Sequence, residues 1–216
     1  FLVWLQDRRY PLYLSDRIGL KGKKFKLIKI RTMHINADSS KVDSTKLGDK
    51  RITPIGIFLR KYKLDEIPQL INIFLGQMSF VGPRPNVERE TSLYTIEESK
   101  LLNHEPGLTD IASIVFSDEA NILSKFDDPD IAYNQLIRPY KSRLGIICIE
   151  NLGFNLYIKI VFLTFTNLLN RAYTLQKLNR ILRDLNVSDD LRNIAMRNTP
   201  LKPTPPPGSN VIVTSR

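Results

Sequence analysis

The sequence is poor in the residues that form disulfides and many metal or hydrolytic sites. Its 216 residues include one cysteine, Cys148, and two histidines, His34 and His104. A single cysteine excludes an internal disulfide and a Cys-x-x-Cys metal site, which favours a reducing, cytoplasmic-side location. Neither histidine lies in the acidic segment described below, and this argues against a Ser-His hydrolase.

Long apolar runs are also missing. The longest candidate, from Phe154 to Leu169, is shorter than the roughly 20 residues that a spanning helix needs, and it contains Lys159. The sequence therefore predicts no complete transmembrane helix, and this run favours a buried helix or one lying in a membrane interface. The opening letters FLVWL are typical of the last turn of a longer hydrophobic segment, so residues 1–10 are expected to end a truncated membrane segment.

Acidic residues are scarce in the first third of the chain. Half of the 32 Lys and Arg residues precede Leu64, where only five acids oppose them, and the net charge is +10. Such a field attracts anions, which include nucleic acid, an anionic membrane surface and a phosphorylated small substrate. Nucleic acid is disfavoured because the aromatic residues are not interleaved with the basic ones as stacking platforms.

Turn signals and apolar spacing predict a mixed fold. A content of 42% hydrophobic residues suffices for a core, and the length suggests one domain with appendages. Segments 12–18 and 25–31 flank a Gly-Leu-Lys-Gly turn and predict a β-hairpin. In its second strand the expected inward residues are Phe25, Leu27 and Ile30, and the expected polar side carries Lys26, Lys29 and Arg31.

Helix signals follow the hairpin. Thr53 and Pro54 predict the start of a short helix, and apolar spacing predicts another over 66–75, with Asp65 at or near its N-cap. A charged surface helix is expected over 87–103, a strand continuing into a helix over 111–123, and mostly helix over 128–184. The polar segment 36–50 predicts a mobile surface loop.

The adjacent carboxylates of Asp65 and Glu66 follow a short basic run. Neighbouring helical residues point about 100° apart, so these two cannot share one proton as a facing dyad and suit separate roles. An ionised Asp at a helix start can attack phosphorus to give an acyl phosphate, and a Glu beside it can hold Mg²⁺. The alternative is an ordinary helix cap beside a solvated basic face.

Several spaced motifs resemble one family. The segment LDEIPQLINIFLGQMSFVGPRP is similar to the signature of bacterial sugar transferases of the monotopic polyprenyl-phosphate phosphoglycosyl transferase family. The upstream segments DRIGLKGKKFKLIKIRTM and RITPIGIFLRKYKLDE, and the downstream HEPGLTDIAS, resemble further motifs of this family in the same order. The resemblance covers about residues 17–113. The chain departs from it at Asp110 and Ile111, where relatives commonly have Gly-Leu.

The resemblance implies a reaction and its residues. Asp65 would attack the β-phosphorus of a UDP-sugar, expel UMP, and then pass the sugar phosphate to a polyprenyl phosphate. Glu66 matches the metal-binding Glu of the family, which implies Mg²⁺. The turn motif associated with the nucleotide is Pro83, Arg84 and Pro85. Basic positions expected to hold the diphosphate are Lys29, Arg31 and Arg60.

The resemblance also implies an organisation and partners. We expect an α+β, helix-rich catalytic domain with a β-hairpin over 11–150, interfacial amphipathic helices over 151–190, and a Pro-rich flexible tail over 191–216. A re-entrant membrane helix is expected before Phe1. The expected location is the cytoplasmic face of the bacterial inner membrane, and the expected partners are a UDP-sugar, a polyprenyl phosphate and the membrane surface, with a homodimer left open. The alternatives are a non-catalytic basic module that binds anionic membrane lipid, or an inactive remnant of the enzyme.

Overall fold

The computed structural model describes residues 2–35, 37 and 44–214 and shows two small sheets combined with many helices. This confirms the α+β class. Residues 36 and 38–43 of the predicted surface loop lie outside the described residues. The elements in chain order are α1 (Leu2–Asp7), β1 (Leu12–Ile18), β2 (Lys24–Ile30), α2 (Pro54–Lys61), α3 (Gln69–Phe74), β3 (Ser79–Val81), α4 (Glu88–Thr91), β4 (Gly107–Thr109), α5 (Ile111–Val115), α6 (Glu119–Leu123), α7 (Pro129–Ala132), α8 (Arg138–Glu150), α9 (Phe154–Leu169), α10 (Arg171–Asp184) and α11 (Asp189–Ala195).

The strands β1 and β2 form the predicted antiparallel hairpin. Leu12 lies opposite Ile30, and Ile18 lies opposite Lys24. Lys29 was expected on the polar side of β2, but it lies on the other side. Side chains alternate along a strand, so Lys29 shares its side with Leu27, which is buried. Lys29 thus points into the protein rather than into solvent.

The second sheet is a short parallel pair that presents the Pro-Arg-Pro turn. Ser79 of β3 pairs with Gly107 of β4, and Val81 pairs with Thr109. The backbones then meet at Gly82, where a Cβ added to Gly107 would lie 2.1 Å from the Gly82 nitrogen. Only glycine fits there. The turn that follows Gly82 is thereby held against β4.

The main hydrophobic core lies in the second half of the chain. It joins α5, α8, α9 and α10 with parts of α6, α7 and α11. Helix α9 contributes Leu156, Ile160 and Leu163 to this core, and α10 contributes its own buried leucines at helical spacing. No helix within residues 2–35, 37 and 44–214 has both the length and the apolar character needed to cross a membrane.

The predicted helix over 87–103 is wrong. The structure has only α4 and a 3-10 turn, Glu98–Asn103, with a break between them. The break follows from Glu98, which is fully buried and forms an ion pair with Arg138 of α8 at 2.6 Å. The Thr95 hydroxyl accepts a hydrogen bond from the Glu98 backbone nitrogen, and the Thr95 backbone nitrogen donates one to the Glu98 carboxylate. A buried charge needs such partners, and they outweigh helix continuity.

The predicted strand at the start of 111–123 is also wrong. The strand is β4, which ends at Thr109, and the next residues form α5 and α6. Asp110 accepts a hydrogen bond from the Ser113 nitrogen at 2.6 Å and so starts α5 as its N-cap. The β-branched residues that suggested a strand are buried in the helical core instead.

Helix α11 continues to Ala195 and so includes the first residues of the tail predicted over 191–216. The described residues beyond it, up to 214, form no helix or strand. The tail nevertheless contacts the body of the protein. The Tyr140 hydroxyl donates to the Lys202 carbonyl at 3.2 Å, Arg143 donates to the Pro205 carbonyl at 2.9 Å, and Thr95 donates to the Pro207 carbonyl at 2.5 Å.

Candidate active site

The carboxylate pair lies in a tight turn before α3. Asp65 and Glu66 belong to a 3-10 turn, Leu64–Glu66, that follows Lys63 in a left-handed backbone conformation (φ 57°). Helix α3 begins only at Gln69, with Pro68 at the N-cap position. Asp65 is therefore not the N-cap of α3, and the reason is local. The chain continues with i to i+3 backbone bonds, from Ile67 to Leu64 and from Leu70 to Ile67.

Helix α3 also reverses the expected burial. Its apolar residues Leu70, Ile71 and Phe74 are exposed, Phe74 to 90%, and so is Ile67 just before the helix. Its polar residues Gln69 and Asn72 are fully buried. Asn72 explains much of this reversal, because its side chain accepts from the Ile28 nitrogen at 3.0 Å and donates to the Lys26 carbonyl at 2.8 Å. It satisfies the free edge of β2 and fixes α3 against the hairpin.

Glu66 is held by two cations. Arg84 Nη2 lies 2.6 Å from Oε1, and Arg84 Nη1 lies 3.0 Å from Oε2, so the pair is bidentate. Lys29 Nζ lies 3.3 Å from Oε1. Bidentate Arg-carboxylate contacts fix both orientation and charge. The structure therefore brings together Lys29 of the hairpin and two residues, Glu66 and Arg84, that lie 18 positions apart in one motif.

Asp65 differs sharply from its neighbour. Its residue is 7% exposed, and its carboxylate has no hydrogen bond or ion pair with any residue that the structure describes. It lies within electrostatic range of Lys29, Arg60 and Arg84. A carboxylate that is surrounded by cations but bound by none keeps its lone pairs available to attack an electrophile.

Arg60 is placed by Thr32, the residue that follows Arg31 at the end of the hairpin. Its Nε donates to the Thr32 hydroxyl at 2.8 Å. Thr32 is itself fixed, because its carbonyl accepts from the Thr53 nitrogen at 3.0 Å. Gly56 permits this close approach, since a Cβ there would lie 2.1 Å from the Thr32 carbonyl oxygen. Thr53 caps α2 as predicted, by accepting from the Gly56 nitrogen at 3.0 Å.

The Pro-Arg-Pro turn fixes Arg84 from behind. Arg84 Nη1 donates to the Leu108 carbonyl of β4 at 2.7 Å, in addition to its bonds to Glu66. Pro83 and Pro85 are buried, and the Pro83 carbonyl accepts from the Gly107 nitrogen at 2.9 Å. The parallel strand pair thus sets the direction of the guanidinium.

Arg31 lies apart from this cluster. Its guanidinium forms a bidentate pair with Asp7 of α1, with distances of 2.6 and 2.7 Å, and its Nε donates to the Tyr10 carbonyl at 3.0 Å. This pair connects α1 to the end of β2. A role for Arg31 in holding diphosphate stays a prediction.

A small cavity adjoins the turn. Its volume is about 60 Å³, and its lining includes Arg84, Asp110, Arg138 and Lys141. Burial raises the pKa of Asp110, although the hydrogen bond from Ser113 opposes the rise. Asp110, where the chain departs from the family motif, therefore lies beside the turn formed by Pro83, Arg84 and Pro85.

The charges of the site control one another. Burial alone would raise the pKa of Glu66, but Arg84 and Lys29 outweigh it and hold that pKa well below its ordinary value. Burial lowers the pKa of Lys29, and Glu66 opposes this effect. Burial likewise lowers the pKa of Arg60 against the attraction of Asp65. Glu66 is therefore the main anion that balances Lys29 and Arg84.

A pH dependence of stability follows from Glu66. Because the folded pKa of Glu66 lies below the unfolded value near 4.5, the unfolded chain takes up a proton first as the pH falls. The stabilisation by Glu66 should be fully present above about pH 4.5 and decline below it. We expect the difference in unfolding free energy between the wild type and Glu66→Gln to be constant from pH 7 to 5 and to shrink at lower pH, measured by urea denaturation.

The control for this prediction is Glu97→Gln. Glu97 forms only a surface pair with Lys100, and such pairs contribute little. Its difference from the wild type should stay small throughout. A Glu66→Gln difference that grows as the pH falls below 4.5 would contradict the assignment of Glu66 as the stabilised anion.

The fit of Mg²⁺ can be judged from the donors present. A carboxylate has about four lone-pair positions. Lys29 and Arg84 occupy two on Oε1 of Glu66, and Arg84 occupies one on Oε2. One position on Oε2 therefore remains. Within the described ranges no group of three or more His, Cys, Asp or Glu residues could hold a metal, so an Mg²⁺ here would take most of its ligands from diphosphate and water, which is its usual habit.

The fold and the site together define a class of protein. An unbound carboxylate among cations, beside a second carboxylate and a rigid Arg-bearing turn, suits the transfer of a phosphate-bearing group. A family model described as bacterial sugar transferase matches residues 1–171, and the chain belongs to this family.

Curated proteins with similar sequences have matching names. The chain is 39% identical over 115 residues to a UDP-glucose:undecaprenyl-phosphate glucose-1-phosphate transferase of Caulobacter vibrioides, covering 52% of this chain and 43% of the relative. It is 34% identical over 166 residues to a protein of the same name from Klebsiella pneumoniae, covering 74% and 33%. It is 39% identical over 119 residues to a UDP-galactose-lipid carrier transferase of Erwinia amylovora, covering 48% and 25%. In these matches the chain spans less than half of each relative's length.

Proposed function

We propose that this protein transfers a sugar 1-phosphate from a UDP-sugar to polyprenyl phosphate and releases UMP. The observation that carries the proposal is the Asp65 carboxylate, which is unbound by any described residue and lies among Lys29, Arg60 and Arg84. The family and the names of the relatives support the substrate classes. Such a reaction starts the assembly of a lipid-linked glycan.

The chemistry divides into two displacements. An Asp65 oxygen attacks the β-phosphorus of the UDP-sugar, and the bond from that phosphorus to the bridging oxygen breaks, so that UMP leaves with the bridging oxygen. The product is an aspartyl phosphosugar. An oxygen of polyprenyl phosphate then attacks the same phosphorus, the bond to Asp65 breaks, and the carboxylate is regenerated. Splitting one transfer in this way is the usual benefit of a covalent intermediate.

The cations have separate tasks in this scheme. Arg60 has two terminal nitrogens without a partner among the described residues, so they can hold phosphoryl oxygens. Lys29 and Arg84 keep Glu66 in place and reduce the repulsion between Asp65 and the incoming anion. A bound Mg²⁺, held through Oε2 of Glu66, would neutralise further diphosphate charge.

We also assign the protein to a membrane surface, on the cytoplasmic face of the bacterial inner membrane. Helix α9 is apolar on two faces, one in the core and one exposed. The exposed stripe follows helical spacing and consists of Phe154, Ile158, Phe162, Phe165 and Leu169. An exposed stripe of this size marks an interaction surface, and a cationic protein suits an anionic membrane.

Membrane binding can be tested through α9. The double variant Phe162→Glu, Phe165→Glu places two charges on the exposed stripe and should weaken cosedimentation with anionic lipid vesicles by at least about tenfold. Ala172→Glu with Gln176→Glu adds the same charge at exposed positions of α10 and should have a much smaller effect. Equal losses in both variants would indicate a general charge effect and contradict the role of the stripe.

The proposed reaction is tested by product analysis. The protein is incubated in vesicles with polyprenyl phosphate, Mg²⁺ and each member of a UDP-sugar panel, and UMP and UDP are measured. Release of UMP with one or more sugars is the expected result. Release of UDP would instead indicate a different transferase. Vesicle binding that is unchanged in an Asp65 variant, together with no UMP release, would indicate a non-catalytic lipid-binding module.

A further inference from the structure

Gln69 is the most unusual buried side chain of the site. It is fully buried, and neither its Oε1 nor its Nε2 has a hydrogen-bond partner among the residues that the structure describes. A buried carboxamide normally has partners, because taking it out of water without them is costly. An unsatisfied one at an active site is therefore a sign of a partner that arrives later.

The position of Gln69 connects it to Glu66. The backbone from Leu64 to Ile71 uses i to i+3 bonds, so residues three apart lie on one side. Glu66, Gln69 and Asn72 share that side. Glu66 contacts Lys29, and Asn72 contacts the backbone of Lys26 and Ile28, so Gln69 lies between two groups that face the same strand.

Gln69 is not needed to attach the helix. Asn72 fixes α3 to β2 by donating to the Lys26 carbonyl and accepting from the Ile28 nitrogen, and it also donates to Gln77 Oε1 at 2.7 Å. Gln69 adds no bond to this attachment. Attachment of the helix therefore does not explain why a polar carboxamide is buried at this position.

We infer that the Gln69 carboxamide binds the phosphoryl group that Asp65 accepts, by donating from Nε2 to a phosphoryl oxygen. This inference rests on the proposed function and names a further substrate-contacting residue. A neutral donor suits this task, because it binds a phosphoryl oxygen without a charge that would pair with Asp65 and reduce its nucleophilicity. The unpaired state of Gln69 and that of Asp65 then have one explanation, since both await the same group.

The test replaces the amide by an apolar side chain of similar size. Gln69→Met should leave the thermal midpoint unchanged or higher, because it removes an unsatisfied buried polar group. It should also slow UMP release about 30-fold and weaken binding of inorganic pyrophosphate, measured by calorimetry, by about tenfold. Gln69→Leu is the second variant. Asn72→Leu is the structural comparison and should lower the thermal midpoint.

Several results would overturn the inference. Pyrophosphate binding that is equal in the wild type and both Gln69 variants contradicts it. Unfolding of both variants contradicts its premise that the amide is dispensable in the free protein. If the wild type releases no UMP from any UDP-sugar, the proposed function fails, and pyrophosphate binding still decides the role of Gln69.

Discussion

The Asp65→Asn variant is expected to lose UMP release by at least about a thousandfold while it remains folded. An amide is a far weaker nucleophile than a carboxylate, and removing the group that forms the covalent bond removes the main reaction path. The fold should survive, because the Asp65 side chain makes no hydrogen bond or ion pair with the described part of the chain. The measurements are single-turnover UMP release and the thermal midpoint.

The comparison variant for this result is Asp16→Asn. Asp16 lies on β1, is exposed, and pairs at the surface with Lys26 at 2.8 Å. The same chemical change there should leave turnover close to that of the wild type. Mass spectrometry adds a direct readout, since the wild type incubated with UDP-sugar alone should gain the mass of a sugar phosphate and the Asp65→Asn variant should not. Normal turnover by Asp65→Asn would remove Asp65 as the nucleophile.

The second large effect concerns Arg84. Replacing it by Met leaves Glu66 partly buried with Lys29 as its remaining close cation and removes the bond to the Leu108 carbonyl. Loss of one partner of such a pair should lower the free energy of unfolding by about 2 to 3 kcal/mol at pH 7. Turnover should fall at least about a hundredfold, because Glu66 and the Pro83–Pro85 turn lose their common anchor.

Arg84→Lys separates charge from geometry. It restores a cation but not the bidentate contact, so it should recover part of the stability and little of the turnover. Urea denaturation and steady-state UMP release measure the two effects. Full recovery of turnover by Lys would show that only the charge matters. If Arg84→Met keeps both properties, the bidentate pair is not the organising contact of the site.

Local sequence signals predicted the elements whose causes are local. The hairpin of β1 and β2 follows from a turn between two apolar segments, and the start of α2 follows from Thr53 and Pro54. The hairpin and the start of α2 depend on neighbours in the chain. Glu66 and Arg84 were instead identified by the family resemblance of the motif from Asp65 to Pro85, and the fold brings them to 2.6 Å.

Burial was predicted less well. The apolar spacing over 66–75 indicated a helix with its apolar side in the core, yet α3 exposes that side and buries Gln69 and Asn72. The stripe Glu66, Gln69 and Asn72 was readable as polar residues every third position. These polar residues face the free edge of β2, which is distant in the sequence, and Asn72 is buried because it bonds to that edge. For the same reason Glu98 suggested a surface helix until Arg138 was seen to face it.

The sequence by itself determined the charge of the site, the order of its motifs and the residue types available for chemistry. It also determined the hairpin and the predominantly helical second half. Only the tertiary structure decided which carboxylate is bound and which is not. Arg84 reaches Glu66 because two glycines let β3 and β4 meet closely, whereas Asp65 has no partner in the described part of the chain. The difference between a bound Glu66 and an unbound Asp65 depends on contacts between segments that are distant in the sequence. The sequence spacing could not reveal it, because two adjacent carboxylates have the same spacing in a helix cap and in a reactive pair.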